Sequence, residues 1–108
     1  MIWAKVKFEI DNVHMWKDAP DQVDFLRNVH RHLFKCCVYI EQKHTERDIE
    51  YLQFKWRLQR NISVFDISID DSCETIALKI KAYVEKLHPG RAVKVEVLED
   101  GENGAVVE

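Results

Sequence analysis

Apolar and polar residues alternate with a period of two near both ends of the chain, and this pattern predicts strands there. The first alternating segment runs from Ile2 to Ile10, and the last runs from Ala92 to Leu98. Because successive side chains of a strand point to opposite faces, each segment is expected to bury one face and expose the other. A turn with two glycines, residues 100–104, follows the last segment, and Ala105 to Val107 are predicted to return as a short strand.

A further extended segment is predicted in the first half of the chain. Residues Val23 to Lys43 are rich in Val, Phe, Tyr and Ile and contain no Gly or Pro, which favours one long strand or a strand with a short lead-in. The strand signal is strongest from Val29 to Ile40. Residues Asp11 to Gln22 include a proline and show no periodicity, so they are predicted to form a connection.

Two helices are predicted before the last strands. Thr45 and Asp48 have the spacing of a capping box, and apolar residues recur after them at helical intervals, so the first helix is expected to begin at Thr45. The second helix is predicted from Ser72 to Leu87, where apolar residues occupy one face and charged residues the other. Residues Asn61 to Asp71 connect the two helices and could contain a short extended piece between Val64 and Ile69.

The predicted order of elements is ββααβ(β), and this order indicates a fold class. Two consecutive helices between strand segments favour an α+β layer, in which an antiparallel sheet carries both helices on one face. The length of 108 residues is that of a single domain, spanning residues 1–108. A domain of this size has a modest core, so assembly into an oligomer would be a natural supplement to its stability.

The composition narrows the classes of function. With 16 Lys+Arg against 19 Asp+Glu, the chain has a formal net charge of -3, and no nucleic-acid partner is expected. The longest apolar run, Cys36 to Ile40, is far shorter than the roughly 18 residues of a membrane span, so no membrane association is expected. The N-terminal residues lack the pattern of a secretory signal, which predicts a cytoplasmic protein.

The three cysteines are predicted to be reduced. Their number is odd, and the adjacent Cys36 and Cys37 would point to opposite faces of a strand. Cys73, at the predicted start of the second helix, is the only one with an electrostatic reason for a lowered pKa.

The tripeptide His30-Arg31-His32 is the sharpest candidate for chemistry. Two histidines at i and i+2 of a strand face the same side about 6.6 Å apart, near enough for both imidazoles to bind one metal ion. A third ligand is needed, and His14 is the best placed if the first two strands pair antiparallel. Three imidazoles with an open fourth position are typical of a catalytic zinc site. The alternative is that the two strand histidines are partly buried polar residues with no metal between them.

Two glutamates are candidates for binding a ring. Glu99 follows the last long strand, and Glu74 lies in the first turn of the second helix. A carboxylate can accept two parallel N–H groups, as presented by the edge of a guanine-like or pterin-like ring. The alternative for Glu74 is that it only stabilises its own helix.

Several of these segments occur in an order that resembles the 6-pyruvoyl-tetrahydropterin synthase and 6-carboxytetrahydropterin synthase family, which has the T-fold. That family has a histidine in its first-strand region, His-Gly-His on the second strand, Asp-Phe at one helix start, Pro-Thr-x-Glu-Asn at the next, and Glu-Thr after a late strand. The matching segments here, which span nearly the whole chain, are Phe8–His14, Leu26–His32, Glu50-Tyr51, Asp71–Ala77 and Val97–Asp100.

The resemblance implies a ligand set and a class of substrate. It implies Zn²⁺ bound by His14, His30 and His32, with a pterin-like or purine-like ring, such as a 7-deazaguanine precursor, held by Glu99 and also by Glu74. It further implies lyase or synthase chemistry in a homo-oligomer whose sites lie between subunits.

The chain departs from the family at the catalytic residues. The family's catalytic cysteine stands four residues before the first histidine of the pair, where this chain has Leu26. The family's Asp-His pair between the helices has no counterpart, because no histidine occurs between His44 and His88. Leucine cannot transfer a proton, so catalytic activity is an open question. Asp24 has the parity of Leu26 and His30 on an extended strand, and it is the candidate substitute base.

Two other functions stay open at this point. The chain could be a non-catalytic oligomeric binding or scaffold protein that keeps the fold and has lost the chemistry, and the missing relay favours this. Alternatively, Arg27, Arg31 and Lys35 could form a patch that binds an anionic ligand, in which case salt should weaken the binding.

Overall fold

Four antiparallel strands form one sheet in a computed structural model of the protein, which describes residues 1 to 108. The strands and helices are β1 (Ile2–His14), β2 (His30–Gln42), α1 (Tyr51–Arg60), α2 (Cys73–Leu87), β3 (Val93–Glu99) and β4 (Asn103–Val107). The strands are neighbours in the order β1-β2-β3-β4, and each pairs antiparallel with the next. This arrangement confirms the predicted α+β class and the ββααβ(β) order.

One face of the sheet and both helices enclose a single hydrophobic core. Because alternate residues of each strand face it, the sheet contributes every second residue. The most deeply buried members of this core are Ala4, Phe8 and Ile10 of β1, Phe34, Val38 and Ile40 of β2, Val95 and Val97 of β3, Leu58 of α1, and Ile76, Ala77, Ile80 and Val84 of α2. Both helices therefore lie on the same face of the sheet, as predicted. Neither helix has the length and apolar character needed to cross a membrane.

Strands β1 and β2 form a long hairpin. They pair along their full length, from Ile2 opposite Gln42 to His14 opposite His30. The predicted connection after Ile10 is therefore wrong for residues 11–14, which continue the alternation and keep their partners on β2. This extension brings the end of β1 beside the start of β2.

The predicted lead-in to β2 is not extended. Asp21–Arg27 form a 3-10 segment that follows Pro20, and β2 begins only at His30. Proline fixes its own φ near -65° and has no backbone N–H, so it suits the start of a turn better than a strand. Of the two predicted arrangements, the strand with a short lead-in is therefore the one that forms, and a single long strand from Val23 does not form.

Helix α1 begins six residues later than predicted. Its cap is Glu50, whose carboxylate accepts the backbone N–H groups of Leu52 and Gln53, and not Thr45. Asp48, the other half of the predicted capping box, instead accepts the backbone N–H of Lys43. Residues 45–50 therefore form a turn that leads from β2 into the helix.

Helix α2 begins where predicted, within one residue. Its cap is Ser72, whose hydroxyl oxygen accepts the backbone N–H of Thr75. The extended piece expected between Val64 and Ile69 is absent, because Ile62–Phe65 form a second 3-10 segment there.

Candidate metal centre

The core-facing row of the sheet becomes polar at the end where β1 stops and β2 starts. His14, the last residue of β1, lies directly opposite His30, the first residue of β2, and His32 follows on the same face. On the neighbouring strand, Glu99 is the last residue of β3 and lies opposite Phe34. At this end of the sheet, the face that elsewhere carries buried apolar side chains therefore carries polar ones.

The three imidazole rings converge at this end of the sheet. Their centroids are 4.5 Å apart for His14 and His30, 5.1 Å for His14 and His32, and 4.9 Å for His30 and His32. One ligand atom from each ring lies within 4.8 Å of the other two. The cluster could therefore hold a metal ion, and its members are the three histidines predicted from the sequence.

Each ring is held through its Nδ1 atom. The Nδ1–H groups donate to the backbone carbonyl of Asp71 for His14 (3.1 Å), to the backbone carbonyl of Asn28 for His30 (2.8 Å), and to a carboxylate oxygen of Asp100 for His32 (2.7 Å). All three partners are acceptors, so each neutral ring carries its proton on Nδ1 and has a free lone pair on Nε2. This tautomer and these outer contacts are what metal-binding histidines use.

Two of the Nε2 atoms have no partner in the protein. Those of His14 and His32 are buried and form no hydrogen bond. Leaving a buried acceptor unsatisfied costs about 1–3 kcal/mol, so native structures usually provide a partner. A cation bound by the lone pairs would supply it, and the donor set of three imidazoles suits zinc. The residues present therefore fit a metal ion of this kind.

Asp100 was missed as a functional residue by the sequence analysis. Its carboxylate accepts the His32 Nδ1–H and also the backbone N–H of Leu33 (2.9 Å). The bond from the Leu33 N–H, followed by the contact with His32, lowers the pKa of Asp100 from its ordinary value. The carboxylate is therefore charged at neutral pH, and its hydrogen bond holds the His32 ring in one orientation. The sequence offered one signal, an acidic residue directly after Glu99.

A cavity of about 400 Å³ opens beside the histidines. It lies between the end of the sheet and the start of α2, and His14 and His30 form part of its wall. The remaining wall residues are Met15, Trp16, Leu26, Asp70, Asp71, Ser72, Cys73, Glu74, Glu99, Asn103 and Gly104. Both predicted ring-binding carboxylates are among them, and so is the leucine at the position of the family's cysteine.

Glu99 lies between the histidines and α2. One of its carboxylate oxygens is 3.3 Å from His32 Nε2, and the other is 3.6 Å from His14 Nε2. The Cys73 thiol donates to the latter oxygen across 3.7 Å. Burial, together with the negative charges of Glu99 and Glu74, raises the pKa of Cys73 to about 12. The expectation of a lowered pKa for this thiol was wrong, because burial, followed by the neighbouring carboxylates, outweighs the helix N-terminus.

The predicted substitute base lies elsewhere. Asp24 is in the 3-10 segment before β2, where it is exposed and outside the cavity wall. Its predicted position depended on an extended strand that does not form.

Carboxylates neutralise most of the positive charge of Arg27, Arg31 and Lys35, the predicted anion-binding patch. Arg31 forms two hydrogen bonds with Asp11, at 2.8 and 2.7 Å, and Arg27 pairs with Asp21 at 2.8 Å. Lys35 is exposed on the helix-free face of the sheet. Two of the three cations thus already have carboxylate partners, which weakens the case for an anion site there.

The fold and the site together define the class of this protein as an α+β domain with a candidate three-histidine metal centre. No family model matches the chain, and no curated protein matches its sequence.

Proposed function

We propose that the protein is a divergent 6-pyruvoyl-tetrahydropterin synthase-like or 6-carboxytetrahydropterin synthase-like protein. It binds zinc through His14, His30 and His32 and recognises a pterin-like or purine-like ring in the adjoining cavity. The observation that carries this proposal is the pair of buried, unpartnered Nε2 atoms beside a cavity that has carboxylates in its wall.

The cavity has the chemical features that a flat heterocycle needs. Glu74 and Glu99 supply carboxylates that could accept two parallel N–H groups from the edge of a ring. Trp16 and Leu26 supply apolar surface for its faces. A pterin or a 7-deazaguanine precursor combines such an edge with such faces.

Catalysis is a separate matter from binding. Zinc, when bound, would act as a Lewis acid on oxygen atoms of the substrate. The cavity wall has Leu26 where the resembling family has its cysteine, and Cys73 keeps its proton at neutral pH. Asp24 is outside the wall, so it is not placed to move the proton in any reaction.

Metal analysis tests the metal site directly. Protein purified without a chelator should contain about one zinc per chain, and a His30→Ala/His32→Ala double variant should contain almost none. A His44→Ala/His88→Ala variant is the matched control, because it removes the two histidines that lie outside the cluster. Equal and negligible zinc in the wild type and the double variant would refute the proposal.

A second candidate function is a non-catalytic binding or scaffold protein with the same fold. The specific observation in its favour is that Leu26, which has no acid–base chemistry, lines the cavity. Incubation with a panel of pterins and 7-deazaguanine precursors separates the two functions. Turnover of any compound would exclude the scaffold, whereas binding without turnover would favour it.

We also propose that the protein is a homo-oligomer with its sites between subunits. Three large apolar residues are exposed in the connection that borders the cavity: Trp16 (51%), Phe25 (64%) and Val29 (54%). Large apolar residues that are exposed in one segment of a chain often mark an interface. A second copy that covers it would also close the cavity.

A cytoplasmic location is part of the same proposal. Cys36, Cys37 and Cys73 are buried and unpaired, as expected in a reducing compartment. Burial also raises the pKa of Cys36 to about 12, so this thiol is inert at neutral pH.

A further inference from the structure

The carboxylate of Glu99 lies 3.3 Å from the Nε2 atom of His32 and 3.6 Å from that of His14. We propose that Glu99 is the fourth protein ligand of the metal, so that the resting centre consists of three histidines and one glutamate. This inference rests on the proposed function, because it requires a metal at the three histidines. With Glu99 bound to the metal, Glu74 is the carboxylate that recognises the edge of the ring.

The distances between Glu99 and two of the imidazoles are those of a metal site. In a tetrahedral zinc site with bonds of about 2.0–2.2 Å, neighbouring ligand atoms are about 3.3–3.6 Å apart. One Glu99 oxygen lies 3.3 Å from His32 Nε2, and the other lies 3.6 Å from His14 Nε2. Each oxygen is thus at such a separation from a different ring, and the carboxylate faces the space between these two rings.

The Nε2 atoms of His14 and His32 face the carboxylate of Glu99. The Nδ1 atoms of both rings donate to a carbonyl and a carboxylate, so in the neutral rings the Nε2 lone pairs face the lone pairs of Glu99. Acceptors facing acceptors repel one another, and a cation between them turns the repulsion into attraction.

Contacts with β2 and α2 hold Glu99 in this position. It ends β3 opposite Phe34, and the Cys73 thiol donates to the oxygen that approaches His14. Glu74 is different, since it is exposed on the first turn of α2 and forms no ion pair with a histidine. The two carboxylates of the cavity therefore have separate roles.

A centre with four protein ligands reacts only after one of them leaves. The side chain of Glu99 is 34% exposed, against 10% for His14 and 17% for His32. Glu99 also lines the cavity, where an incoming oxygen ligand would arrive. Glu99 is therefore the ligand that a substrate would displace.

Zinc affinity tests the assignment without any need for activity. The wild type, Glu99→Gln and Glu74→Gln are titrated with zinc against a chromogenic chelator, and circular dichroism checks that each variant is folded. Outer contacts of a metal site contribute about 10–100-fold in affinity, so loss of a direct ligand should exceed about 100-fold in Glu99→Gln. Glu74→Gln, the matched control, should stay within about threefold of the wild type.

A structure of the zinc-loaded wild type provides the second measurement. It should show a Glu99 oxygen at about 2.0–2.2 Å from the metal. This measurement decides the question if Glu99→Gln does not fold, or if its loss of affinity is no larger than that of an outer contact. Water in the fourth position with Glu99 beyond bonding distance, or wild-type affinity in Glu99→Gln, would overturn the inference. Neither result affects the proposed zinc site of the three histidines, which fails if the wild type binds no zinc.

Discussion

Asp100 closes the turn after β3 and at the same time orients a candidate metal ligand. It has a left-handed backbone conformation with φ of 54°, which aspartate tolerates better than most residues. One of its carboxylate oxygens accepts the Leu33 N–H and the other accepts the His32 Nδ1–H. The residue thus joins the backbone of β2 to the ring of His32.

We expect Asp100→Asn to weaken zinc binding by about 10–100-fold, the usual effect of removing an outer contact to a metal-binding histidine. Asparagine tolerates the same backbone conformation, so the turn should form as before. What is lost is the charge-assisted hydrogen bond between the His32 ring and the carboxylate. Competition with a chelator measures the affinity.

Glu102→Gln is the matched control for this change. Glu102 is exposed in the same turn, and its carboxylate has no partner among the histidines. Its affinity should equal that of the wild type. Wild-type affinity in Asp100→Asn as well would show that the contact with His32 has no role in binding the metal.

At the scale of elements, one partly buried ion pair joins the turn before α1 to the segment before β3. Asp48 precedes α1, and its carboxylate pairs with Arg91 and accepts the backbone N–H of Lys43. Arg91 also donates to the backbone carbonyl of Glu41 at the end of β2 (3.0 Å). The hydrogen bond from Arg91, followed by the one from the Lys43 N–H, lowers the pKa of Asp48 to about 2.

This pKa predicts how stability depends on pH. In the unfolded chain, aspartate titrates near pH ~3.9, so the folded state binds the Asp48 proton less tightly than the unfolded state does. The stabilisation by Asp48 is therefore complete at neutral pH and is lost as the pH falls from about 4 through about 2. We expect Asp48→Asn to have a lower free energy of unfolding at pH 7 and a smaller deficit at pH 3.

Urea unfolding at the two pH values measures both deficits. Asp18→Asn is the control, because Asp18 is exposed and forms no ion pair, and it should differ little from the wild type at either pH. An equal deficit for Asp48→Asn at pH 7 and pH 3 would contradict the argument, since it would mean that the charge of Asp48 makes no contribution.

The same ion pair explains why the start of α1 could not be predicted. The spacing of Thr45 and Asp48 fits a capping box, but Asp48 binds a residue 43 positions away in the chain. Glu50 then caps the helix in its place. A local pattern contains no information about such a partner, whereas the alternation of β1 and β3 depends only on adjacent residues and was read correctly.

At the scale of the whole molecule, the exposed apolar residues beside the cavity predict self-association. We expect light scattering to give a mass larger than that of one chain. Phe25→Glu should lower this mass, because a charge at an apolar interface is poorly solvated when it is covered. Leu78→Glu, on the exposed side of α2, is the control and should leave the mass unchanged.

Two results would contradict this prediction. One is a wild type that scatters as a monomer, which would place each site within a single chain. The other is an equal loss of mass in Phe25→Glu and Leu78→Glu, which would show that the interface is not at the cavity. Because both residues are more than half exposed, neither change should unfold the chain.

Local sequence patterns were sufficient for the fold class, the four strands, the two helices and the pairing of His30 with His32 on one face. These features depend on residues a few positions apart, and the backbone geometry of a strand or helix relates such residues directly. The motif order also pointed to Glu99 and Glu74, which both line the cavity.

Tertiary structure decided the rest of the site. His14 reaches the other histidines because β1 continues to pair with β2 beyond Ile10, and that register depends on contacts between strands. The acceptors for the three rings come from Asn28, Asp71 and Asp100, of which Asp71 and Asp100 are distant in sequence from the histidines they hold. A metal centre needs several groups at one point in space, and only the folded chain brings residues from separate segments to that point.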